Sequence, residues 1–166
     1  MRRARALAGS LLAAMGSVAE DDVTSVREHV VIVSTIAANF AALAGGDENA
    51  VSLVESLRSG SAANLTYPAP GAQGFARVVP IDPPTGPMDW SDVRMALMLT
   101  RDALTSVGVL RPSGEQLHAA LLGGQVSVPG DRLVAFKGVL RMRAEGFNWG
   151  AVASERFQRN AITRIE

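Results

Sequence analysis

From Val23 to Ala44 the apolar residues fall at alternating steps of three and four: Val23, Val26, Val30, Val33, Ala37, Phe40 and Ala44. An α-helix, with about 3.6 residues per turn, brings such positions onto one stripe. The spacing fills a heptad seam through three repeats before Gly45-Gly46 stops it. Glu20-Asp21-Asp22 ahead of it suits the positive end of the helix dipole. Three readings of the seam stand open. It can be the core helix of a bundle, a coiled coil through which copies associate, or, because the stretch from Val30 is nearly uncharged, a short membrane segment. Ser34, Thr35 and Asn39, with Arg27 and His29 just before, argue against the last. Val26, Val30, Val33, Ala37 and Phe40 are therefore the candidate interaction seam.

After the two glycines, Asp47 is placed to cap a shorter helix carrying Ala50, Leu53, Val54 and Leu57, with Gly60 as its stop. Residues 20–60 thus read as a helical hairpin. Residues 61–87 form a connector whose prolines and glycines exclude regular helix, leaving Asn64–Tyr67 and Phe75–Val79 as extended pieces that can pair. An ordered crossover and a mobile linker are both compatible with this composition. From 88 to 160 the chain is helical again. Asp89 opens a helix to Val107 with Gly108 as its stop, and Ser113 with Gln116 forms a capping box for a helix ending at Gly123-Gly124. Val126-Ser127-Val128 is a short extended piece, and beyond the Pro129-Gly130 turn Asp131 can cap a further helix.

That helix leads into a corner, GVLRMRAEGFNWGAVASERF from Gly138 to Phe157, in which two short helical patterns meet at Gly146. Gly146 can end the first in the left-handed conformation, and Asn148 can cap the second. Trp149 is expected to be the structural anchor joining the two pieces to the core. The corner also resembles the first helix and turn of DNA-binding helix-turn-helix units, with Arg141, Arg143, Arg156 and Arg159 supplying positive charge. A small DNA-binding regulator is therefore one alternative function.

Residues 1–19 point elsewhere. Arg2, Arg3 and Arg5 precede an apolar run from Ala6 to Met15, and Ser17-Val18-Ala19 has the small-x-small form of a cleavage site, so this stretch reads as a signal peptide. The run is shorter than the roughly 20 residues that cross a bilayer, so no stable membrane span is expected once it is removed. Cleavage after Ala19 leaves thirteen basic against sixteen acidic side chains, a net −3, which does not favour nucleic acid as a partner.

Several chemistries lack their residues. The chain has no cysteine, hence no thiolate nucleophile and no thiolate metal site. His29 and His118 stand apart without ligand spacing, and no nucleophile elbow, phosphate-binding loop or dinucleotide fingerprint occurs. No catalytic, cofactor-binding or metal-ligating residue and no cofactor is therefore assigned. An enzyme whose site is assembled from scattered residues stays a second alternative.

Pro83-Pro84-Thr85-Gly86-Pro87-Met88 opening a helix, Gly123-Gly124 ending one, and Gly138-Val139-Leu140 through Gly146 to Trp149-Gly150 together resemble a group of short exported proteobacterial proteins of unknown function. The resemblance also touches Asn49 to Gly60. In that group the opening usually continues Gly-Tyr-Gly-Asn where this chain has Asp89-Trp90-Ser91-Asp92, and the corner reads Gly-Met-Gly-Trp-Gly where this chain has Gly146-Phe147-Asn148-Trp149-Gly150. The resemblance implies an envelope or secreted location and carries over no functional residue.

The resulting expectation is a mainly α single domain over 20–166, a bundle of about five helices with one or two small two-stranded β elements around residues 64–79 and 126–128. Its expected function is that of a non-enzymatic periplasmic or secreted protein acting by protein binding or self-association. Export is directly checkable. When the full chain is expressed in a Gram-negative host, N-terminal sequencing of the periplasmic product should begin at Glu20; a cytoplasmic product still starting at Met1 or Arg2 contradicts the signal-peptide reading.

Overall fold

A long helix, α1 (Ala8–Ala44), opens the part of the chain that the computed structural model describes, namely residues 8–68, 76–158 and 163–164, with side chains over 22–68 and 76–155. The chain forms two compact units, Met1–Thr35 and Ile36–Glu166, so the division falls inside α1 rather than at the composition changes near 60 and 87. Mainly helical architecture is the result: six helices among the described residues, five of them substantial, accompany two small antiparallel sheets. Residues 8–19 are helical and run into the expected seam without a break; the expected arginine-rich start, residues 1–7, lies outside the described residues.

In the second unit, Ile36, Ala37, Phe40, Leu43 and Ala44 are buried, and the Arg101 guanidinium lies 5.2 Å from the centre of the Phe40 ring. Gly45 and Gly46 turn the chain into α2 (Asp47–Ser59). Asp47 is not the cap expected of it: it is the first helical residue, and Gly46 holds the cap position without a side-chain hydrogen bond. Asp47 and Glu48 remain in the first turn, where they oppose the positive end of the dipole. Buried Asn49 ties three elements together. Its amide donates to the Ala44 carbonyl (3.0 Å) and the Thr66 carbonyl (2.8 Å), and its Oδ1 accepts from Thr66 N (2.8 Å).

Thr66 lies on β1 (Ala63–Pro68), which pairs antiparallel with β2 (Ala76–Ile81) from Ala63 opposite Ile81 to Pro68 opposite Ala76. Leu65, Tyr67, Val79 and Ile81 turn to the buried side, as the period of two requires. The connector is thus an ordered hairpin, apart from residues 69–75, which are outside the described residues. The proline-rich stretch after β2 is pinned to the end of α2. Met88 N donates to the Leu57 carbonyl (3.2 Å), Arg58 Nη1 donates to the Met88 carbonyl (2.8 Å), and a Cβ on Gly60 would lie 2.5 Å from Pro87 N.

Asp89 then caps α3 (Trp90–Ser106), accepting from Asp92 N at 2.8 Å and from the Ser91 hydroxyl at 2.8 Å. These bonds, the backbone one foremost, hold its carboxyl below the usual range. The expected capping box at Ser113 and Gln116 opens α4 (Gly114–Leu122), whose Leu117, Ala120 and Leu121 are fully enclosed.

Asp131 does not start a helix: it sits at φ 53° in a turn with Gly130 at φ 83°, joining β3 (Gly124–Val128) to β4 (Arg132–Phe136). Left-handed backbone at Asp131 is incompatible with capping, and Leu133-Val134-Ala135-Phe136 places Val134 on the buried side of a strand. Arg132 fixes the turn by donating to the Pro129 carbonyl (3.2 Å) and the Val107 carbonyl (3.0 Å). A two-residue strand, β5 (Thr163–Arg164), pairs with the other edge of β4. The corner follows as α5 (Val139–Ala144) and α6 (Trp149–Gln158).

Tyr67 reports on the packing of α4 against the first sheet. A Cβ on Gly114 would lie 2.7 Å from the ring, so only glycine lets the two meet, and the buried hydroxyl has no hydrogen-bond partner among the described residues. Burial pushes the phenol up to about 12, because the phenolate loses its hydration. A raised folded value means that the neutral phenol's contribution to stability is full below pH 10 and is lost as pH rises towards 12. As Tyr67 is the chain's single tyrosine, absorbance at 295 nm reads it alone. The tyrosinate midpoint is expected well above 10 in the native chain and near 10 in urea; a native midpoint near 10 would mean a solvated ring.

Candidate functional site

Two places hold the residues that the sequence singles out: the corner and the seam of α1. In the corner, Gly146 takes φ 93° and Asn148 Oδ1 accepts from Ala151 N at 2.8 Å, as expected of a stop and a cap. Trp149 is half-buried rather than enclosed, and its anchoring is polar as well as apolar. The indole Nε1 donates to Asp92 Oδ1 at 2.6 Å, reaching from α6 to α3. The Arg143 guanidinium of α5 lies 4.4 Å from the centre of the indole ring, 3.7 Å from Asp92 Oδ2, and donates to the Phe147 carbonyl at 2.7 Å. A carboxylate, a guanidinium and an indole thus join three helices. With Arg143 and Asp92 about 27% and 32% exposed, the pair is shielded enough to matter more than an open surface pair.

The same geometry brings together segments far apart in sequence. Pro84, Thr85, Pro87 and Met88 line a polar cleft with Asp92, Arg143 and Ala144, so the Pro-Pro-Thr-Gly-Pro-Met stretch and the corner share one wall. Asp92 is the residue that sequence reasoning missed. A carboxylate three residues beyond a helix cap looks like a surface residue, and nothing local marks it as the partner of a tryptophan 57 positions later. Arg143, counted as positive charge for DNA, is turned inward to Asp92, Phe147 and Trp149, while exposed Arg141 pairs with Glu145 at 3.3 Å. The side chain of Arg156, and Arg159, lie outside the described residues.

The seam divides. Val33, Ala37, Phe40 and Ala44 are buried, but Val23, Val26 and Val30 are 51%, 58% and 58% exposed. Within the first unit these three valines form an apolar stripe that α1 itself leaves open. Residues Asp22–Ala44 are also long and apolar enough for a membrane span or a signal sequence by composition, a test that soluble core helices pass as well.

Among the described residues, no three histidine or acidic side chains come together to hold a metal ion. A cavity of about 50 Å³ between Leu99, Ala120, Met142 and Val152, with Lys137 and Glu155 at its rim, is far smaller than the roughly 300–1,000 Å³ of small-molecule sites. Lys137 Nζ and Glu155 Oε2 pair there at 2.5 Å.

The fold is that of a mainly helical protein with two small antiparallel sheets. Compared with protein-family models, curated proteins and solved structures, the chain matches none.

Trp149→Ala should cost roughly 2–4 kcal/mol in urea denaturation, below the full-burial figure because the ring is only half-buried. A double-mutant cycle with Asp92→Ala, which removes the acceptor, should show coupling of about 1 kcal/mol or more. Additive losses would mean that the indole–carboxylate bond contributes nothing.

Proposed function

We propose that this is an exported, non-enzymatic protein that works by helix-mediated association through the stripe Val23, Val26 and Val30. The observation that carries this is the continuation of one unbroken 3–4 spacing from buried positions onto exposed ones along a single helix. Exposed β-branched residues in register on a formed helix are what a partner helix needs for knobs-into-holes packing. Nucleation is no obstacle, since the stripe runs on without a break into the helical residues up to Ala44, several of which are buried. Support for export comes from the arginines and apolar run of residues 1–19.

The DNA-binding reading lacks such support. Its nearest arginine, Arg143, is held by Asp92 and Trp149, and the chain after removal of residues 1–19 is acidic. The polar cleft beside Asp92 is the place to look if catalysis were sought, but its only charged pair is already engaged with itself and with Trp149.

Sedimentation velocity of the chain recovered from the periplasm, over a range of concentrations, tests the proposal. Concentration-dependent association is expected, and Val26→Asp with Val30→Asp should abolish it while stability stays within about 0.5 kcal/mol, as for exposed sites. A wild-type chain monomeric at every concentration, or association unaffected by the double substitution, removes this reading.

A further inference from the structure

The flanks of the exposed stripe carry information about which partner it fits. With Val23 and Val30 at a positions and Val26 at d, Asp22 occupies the g position before the first heptad and Arg27 the e position within it. Both flanking residues are exposed, and both lie on the exposed part of α1 beside the three valines. In a parallel coiled coil, g of one helix faces the e position five residues further on in the other. Five residues separate Asp22 from Arg27. The pairing goes no further, because the next d position, Val33, is already buried within its own chain, and Glu28 at f points away from the seam.

We infer that the occupant of the stripe is a second copy of this chain, aligned parallel and in register, with Asp22 of each copy against Arg27 of the other. This rests on the association proposed above and adds partner and orientation to it. An antiparallel pair would set e against e and g against g, bringing Arg27 near Arg27 and Asp22 near Asp22 instead. The two copies in the parallel arrangement make the same charge pair twice. The charge pattern therefore favours one orientation by attraction and disfavours the other by repulsion. Valine at both a and d does not by itself select two strands over three, so orientation and register are what the residues specify. A lipid surface is a poorer occupant, because Asp22, Arg27 and Glu28 crowd the same two turns with charge of both signs.

The absence of cysteine from the chain makes the test clean. In the full chain recovered after export, Val26→Cys places thiols at a d position, where facing residues in a parallel in-register pair come within disulfide reach. Mild oxidation should then give a covalent dimer, whereas Val31→Cys, at the outward b position, should give none. Arg27→Glu should weaken association about tenfold by replacing attraction with repulsion at both pairs. Combining it with Asp22→Arg should restore the wild-type affinity, because the swap recreates the opposite charges only in the parallel arrangement. Association without the Val26→Cys crosslink, or without rescue by the swap, overturns the parallel inference and leaves the stripe's role in association standing. A chain that stays monomeric overturns both. Association that appears only with anionic vesicles, and not in solution, assigns the stripe to lipid and overturns the inference as well.

Discussion

Everything in the second unit leans on α4, a nine-residue helix whose ends are both points of backbone-close packing. At its start, the missing side chain of Gly114 admits the Tyr67 ring and the Val79 methyl of the first sheet. At its other end, a Cβ on Gly123 would lie 2.8 Å from the Lys137 carbonyl, and one on Gly138 would collide with Gly123 N and the Leu122 carbonyl carbon. The first sheet therefore docks at one end of α4 and the junction of β4 with α5 at the other. Between them Leu117, Ala120 and Leu121 are sealed from water, each such side chain contributing on the order of 1–3 kcal/mol by burial. Short helices have little stability of their own. This one exists because its neighbours close over its apolar side and both its ends, and they can do so because three glycines bring backbones nearer than any side chain allows.

That dependence explains why a polar group can sit at the corner. With α4 fixing the start of α5, Arg143 is delivered to a set position, and Trp149 follows after the stop at Gly146 and the cap at Asn148. Asp92 meets them from α3, whose own start is set by Asp89. The carboxylate accepts from the indole and faces the guanidinium, so the charges are compensated where they are partly withdrawn from water. Such a joint is directional in a way that apolar contact is not. Rotating α6 would break the Nε1 bond and unstack Arg143 at once, which is why the corner carries one orientation.

How much of this could be read beforehand depended on whether the signal was local. Caps and stops are local, and Ser113 with Gln116, Gly60, Asp89, Gly146 and Asn148 all do what their types suggest. The pairing of Asn64–Tyr67 with the residues up to Val79 was likewise visible, as two extended pieces on either side of the Pro-Ala-Pro-Gly stretch. Asp131 misled because aspartate serves both as a helix cap and as a left-handed turn residue, and only the strand partner of Leu133 and Val134 decides between them. Asp47 misled in the same way, one position from a glycine that takes the cap. At the corner, the stop at Gly146 and the cap at Asn148 were legible, whereas Asp92 was not, since its significance lies wholly in a contact across 57 residues.

The seam itself shows what periodicity can and cannot specify. Val26 and Val33 belong to one spacing, about two turns apart on the same stripe, yet one is 58% exposed and the other 4%. A 3–4 repeat encodes that one side of the helix is apolar; it does not encode what covers that side. The distinction comes from the residues between. Around Val33 to Ala44 the flanking positions include Ile36 and Leu43, both buried, so the apolar surface there is wide, as for a helix set into a core. Around Val23 to Val30 the flanks carry Asp22, Arg27 and His29, with Val31, 62% exposed, beyond Arg27, so charge borders the three valines on both sides. One helix thus carries two kinds of apolar face in succession, one covered within the chain and bordered by further apolar residues, the other exposed and bordered by charge.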